Sequence, residues 1–100
     1  MTQVEFGPTN ITQGNSAFFT AEFYDSNGNI TTPSGATLQV TYTNINNATQ
    51  VDTVTLSAVN SFFTGTWSSS NASYSIADWA IYATGNSTAA QLGKLRIIDP

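Results

Sequence analysis

Chemistry in this chain would have to come from six carboxylates, Glu5, Glu22, Asp25, Asp52, Asp78 and Asp99, and from two cations, Lys94 and Arg96. There is no histidine and no cysteine. General acid–base work near neutrality needs a group that titrates there, and nucleophilic catalysis needs a thiol or a hydroxyl beside a base. The serines have no histidine to activate them, and no Gly-x-Ser-x-Gly elbow is present. Two carboxylates flanking a bound sugar would hydrolyse a glycosidic bond, but nothing in the spacing of these six converges. They read as solvated surface groups or turn caps. Asp25-Ser26-Asn27-Gly28-Asn29 puts oxygen ligands at alternate positions, as calcium loops do. It lacks the glycine at the sixth place and the downstream glutamate, so it reads as a turn. Disulfides and histidine–cysteine metal sites have no residues to be built from. The expectation is no enzyme, no metal and no cofactor.

Only 8% of the residues are charged, and the formal net charge is −4. A nucleic-acid binder needs several cations to displace counterions from phosphates, so nucleic acid is not an expected partner. Attraction to an anionic membrane fails for the same reason. No apolar run approaches the roughly 20 residues of a spanning helix. The start, Met1-Thr2-Gln3-Val4-Glu5-Phe6, lacks the basic and apolar regions of a signal peptide. The five Asn-x-Ser/Thr sequons, at Asn10, Asn29, Asn47, Asn71 and Asn86, are what a composition so rich in these residues produces by chance. Beginning with Met and ending soon after its last strand pattern, the chain reads as a complete small protein of one domain, 1–100, with arms at 1–8 and 98–100. Asn, Ser and Thr fill 37 positions. Their amides and hydroxyls must keep the surface wet, and such a surface repels its own copies only weakly. That suits a subunit packed among others.

The elements that carry these residues are strands, because alternation of period two dominates and no helix of useful length appears. The pattern predicts strands at Gln3–Phe6, Ser16–Tyr24, Ala36–Thr43, Val51–Val59, Phe62–Ser68, Ala77–Thr84 and Gln91–Ile98, with a short paired run at Asn10–Thr12. Gly7-Pro8 ends the first, Asn27-Gly28 suits positive φ, and Asn60-Ser61 makes a two-residue turn. The inward set is Phe19, Phe23, Leu38, Val40, Val54, Leu56, Phe63, Trp67, Trp79, Ile81, Leu95 and Ile97. Seven strands at this spacing predict an all-β, two-sheet antiparallel sandwich. A small barrel is the competing arrangement.

In the sixth of these strands Asp78-Trp79-Ala80-Ile81-Tyr82-Ala83-Thr84 resembles the Asp-x-Ala-x-Tyr-x-Cys run of immunoglobulin-like domains, with Thr84 where that run has Cys. The alternation here buries Trp79 and Ile81 rather than Tyr82. Together with Phe23-Tyr24-Asp25-Ser26-Asn27-Gly28 and Thr64-Gly65-Thr66-Trp67, the chain resembles the disulfide-free immunoglobulin-like domains of bacterial surface proteins and tailed-phage virion proteins. The resemblance implies a single immunoglobulin-like β-sandwich of about seven antiparallel strands. It also implies a structural or adhesive role, as a decoration, neck or tail component, and no catalytic residue.

Six residues form the expected partner interface. Phe18, Tyr24 and Phe62 fall on the outer face of one sheet, and Tyr82, Lys94 and Arg96 on that of the other. Exposed apolar groups rimmed by polar ones mark contact surfaces. Lys94 and Arg96 alternate on the last strand, where they guard an edge or meet an acidic partner. The expected function is a non-enzymatic virion structural protein, a capsid decoration or cement protein of a bacteriophage. It would bind the major capsid protein, other virion proteins or copies of itself, and be assembled in the host cytoplasm. A neck, tail or fibre-associated component is the alternative. A carbohydrate-binding or adhesive module stacking sugars on Tyr24, Phe62 or Trp67 is a third.

Overall fold

The computed structural model describes residues 2–6, 10–86 and 89–99. Every regular element among them is a strand, as a period of two dictates. They are β1 (Thr2–Phe6), β2 (Asn10–Thr12), β3 (Ser16–Tyr24), β4 (Ile30–Thr31), β5 (Ala36–Thr43), β6 (Thr49–Val59), β7 (Phe62–Ser68), β8 (Ile76–Ala83) and β9 (Gln91–Ile98). Among the described residues no helix is long and apolar enough to cross a membrane. β3, β5, β7 and β9 fall where the alternation places them, while β6 starts two residues early and β8 is shifted back by one. Gly7, Pro8, Met1 and Pro100, which belong to the expected arms and first turn, lie outside the described residues. Residues 2–6 of the expected arm pair with β3.

The strands form one curled, mixed sheet in the order β1-β3-β7-β6-β5-β8-β9-β2, with β4 attached to β3. The expected count of about seven antiparallel strands is exceeded, and one pairing is parallel: β2 lies along the end of β9, with Asn10 opposite Arg96 and Thr12 opposite Ile98. β6 joins the two halves of the curl. It pairs with β5 from Thr49 to Leu56 and with β7 only from Ser57 to Val59. The chain turns from β6 into β7 at Asn60, whose φ of 57° an asparagine tolerates.

Curling brings the apolar faces together. The Phe19 ring meets Trp79 edge-on at 5.3 Å, and Tyr42 meets Trp67 at 5.1 Å, each pair linking β3 or β7 to β5 or β8. Of the twelve expected inward residues, eleven are buried and Val54 packs half-buried against them. Phe19, Phe23 and Phe63 are fully enclosed, each contributing roughly 1.5–3 kcal/mol of burial. Gly93 faces Trp79 across β8 and β9. A Cβ there would collide with the indole ring, so the missing side chain makes the space the tryptophan fills. The buried Ser69 hydroxyl donates to the Asn15 carbonyl (2.7 Å) and accepts from the Gly14 N–H (3.0 Å). These bonds tie the β2–β3 turn to the start of the β7–β8 connection.

Candidate functional site

The six expected interface residues separate into two groups, one on each half of the curl. On β3 and β7, Phe18 is 56% exposed and Phe62 40%. Ladder register sets Phe18 opposite Thr66 and Phe62 opposite Glu22, so the two rings sit four residues apart along the strands. Tyr24 lies one same-face step beyond Glu22 and donates its phenol hydrogen to Glu22 Oε1 at 2.6 Å. The Ser61 hydroxyl donates to Oε2 at 2.9 Å. The carboxylate is thereby held almost buried between an aromatic and a turn. Hydrogen bonding to Glu22, then desolvation and the carboxylate's charge, raises the Tyr24 pKa, because a phenolate beside a carboxylate is disfavoured.

On the other half, Tyr82 is half-buried opposite Thr37. Lys94 Nζ pairs with Asp78 Oδ1 at 2.6 Å, across the β8–β9 ladder, with both side chains well exposed. Such a pair contributes little to stability, but it occupies the lysine. Arg96 makes no ion pair among the described residues. It sits opposite Ile76 and lines a groove of about 490 Å³ with Tyr74, Ile76, Ile98 and Asp99. Ile76 is 61% exposed and, further along β9, Leu92 is 68% exposed. The sequence reading missed Tyr74, Ile76, Leu92 and Ile98. Leu92 and Ile98 share the parity of Lys94 and Arg96, and that signal was sufficient to find them.

A third feature follows from the divided pairing of β6. Between residues 50–54 of β6 and 66–68 of β7 the two strands have separated, and a cleft of about 480 Å³ opens. Asp52 projects into it from β6. Trp67 Nε1 donates to Asp52 Oδ2 at 2.9 Å, and Gln50 Nε2 donates to Oδ1 at 3.2 Å. Gln50 Oε1 in turn accepts from Asn44 Nδ2 (3.0 Å) and Asn71 Nδ2 (3.2 Å). The buried Tyr42 phenol lies beside the same carboxylate. Burial first, and then Asp52, pushes its pKa up, against a smaller lowering by Asn71. Trp67 is only 2% exposed, which corrects the expectation that it offers a stacking surface. Its indole is enclosed because it belongs to the inward set and packs on Tyr42.

The Asp25 segment closes a turn. Asp25 Oδ1 accepts the backbone N–H groups of Asn27 (2.9 Å) and Asn29 (3.0 Å), and Gly28 takes φ 82°. An oxygen held by two amides is a turn cap. No cluster of three acidic residues assembles among the described residues. No protein-family profile matches the chain, and no curated protein matches its sequence.

Proposed function

We propose that this chain is a non-enzymatic virion structural protein, a phage capsid decoration protein that docks on the shell surface. One observation carries the reading. The outer face of β8 and β9 gathers exposed Tyr74, Ile76 and Ile98 around Arg96, which makes no ion pair among the described residues although Asp99 lines the same groove. Tyrosine, arginine and large aliphatics in one polar-rimmed patch are the composition of an interface centre. An acidic, apolar-flanked surface on the shell is the complementary partner. Docking would be non-covalent, and lattice symmetry would multiply a modest affinity per copy. The low charge of the rest of the surface reduces repulsion between neighbouring copies.

The fold we infer is immunoglobulin-like. The parallel β2–β9 pair, the β3–β7 and β5–β8–β9 ladders and the division of β6 between the two halves support that arrangement. A neck or tail location would use the same contact chemistry in fewer copies. Counting the chain in purified particles separates the two. A shell decoration occurs on the order of hundreds of copies, a tail component about a dozen or fewer. Absence from particles would end both readings.

A further inference from the structure

The cleft between β6 and β7 has a chemistry the contact faces lack. Its floor is the Asp52 carboxylate, fixed by the indole of Trp67 and the amide of Gln50, and Gln50 is itself oriented by Asn44 and Asn71. An apolar filling would join the two strands without desolvating a charge, yet here a carboxylate and two carboxamides line an open cleft. The bonds formed internally do not exhaust them. A carboxylate accepts about four hydrogen bonds, and each carboxamide nitrogen has two hydrogens. Trp67, Gln50 and the neighbouring Tyr42 phenol still leave Asp52 part of its acceptor capacity, and Gln50 keeps a second N–H, with the exposed Asn71 carboxamide at the rim. Thr66 and Ser68 add hydroxyls at the rim. The chain's Lys94 and Arg96 both lie on β9, so no cationic side chain lines the cleft. Donors and acceptors held side by side, with one negative charge and no positive one, complement groups that both donate and accept. Vicinal hydroxyls do so.

We propose that this cleft binds a neutral saccharide, with Asp52, Gln50 and Asn71 bonding a pair of adjacent sugar hydroxyls. Trp67 orients Asp52 and makes no stacking platform, so recognition is by hydrogen bonds and each site is weak, in the millimolar range. The proposal is independent of the protein-contact reading and survives its failure.

The test is a titration of ¹⁵N-labelled protein with D-glucose, D-galactose, D-mannose and N-acetyl-D-glucosamine, one at a time, followed through the Trp67 indole N–H and the amides of residues 50–54 and 66–71. At least one sugar is expected to give saturable shifts confined to these signals. Asn71→Ala, at an exposed loop position, is expected to weaken that sugar about tenfold, the effect of one lost polar contact, while the amide spectrum keeps its folded dispersion. No saturable shift with any of the four overturns the proposal. So does a response to calcium chloride alone, or a sugar affinity that Asn71→Ala leaves unaltered.

Discussion

Tyr24 keeps its proton because the phenol donates a hydrogen bond to Glu22 Oε1. The Tyr24 pKa is raised, with the hydrogen bond to Glu22 the largest cause. A raised folded-state pKa means the contribution of this pair is complete below the ordinary phenol range. It is lost as pH climbs through the higher, folded value. Ultraviolet titration of tyrosinate should therefore show Tyr24 ionising late, and Glu22→Gln should bring it earlier. Equal titration curves for the two proteins would refute the assignment. Gly93 supplies a second residue-level expectation. Gly93→Ala forces a Cβ against the Trp79 ring and should cost about 1–3 kcal/mol in urea unfolding, the usual penalty of overpacking. Parity made much of this scale legible: eleven of the twelve expected inward side chains are buried. The bonds between Tyr24, Glu22 and Ser61 were not legible, because they depend on which strand lies alongside and on a turn folding back.

Among the elements, β6 decides the most. Its alternation identifies it as a strand, but not that it leaves β7 after three paired residues to join β5. Pairing partners are non-local, and period two is the same for either neighbour. The Asp52 cleft was invisible for that reason, since Asp52 and Trp67 face each other only because the strands part. The two-residue β4 is too short to show a pattern, and the parallel run of β2 along β9 reads like any other short strand. Asp52→Ala should leave the buried Trp67 Nε1 without its acceptor. The expected loss is about 1–3 kcal/mol in chemical denaturation, together with a fall in the Tyr42 pKa as the carboxylate beside it goes. A variant as stable as the parent would show that the bond does not hold the two halves together.

For the molecule as a whole, the scarcity of charge sets what the surface can do. Lys94 is paired with Asp78, and Arg96 makes no ion pair among the described residues. The two outer faces carry separate apolar groups. Tyr74, Ile76, Arg96 and Ile98 are the docking centre we propose, while Phe18 and Phe62 lie on the other half of the curl. Raising salt should weaken docking only modestly, because one charge is involved and the rest of the contact is apolar. The most direct measurement is co-sedimentation of the purified protein with undecorated phage shells, for the parent, for Ile76→Ser with Arg96→Glu, and for Phe62→Ser. The account predicts that the parent and Phe62→Ser pellet with the shells and that the double variant loses about tenfold or more in affinity. A parent that stays in the supernatant, or a double variant that binds as the parent does, would contradict it.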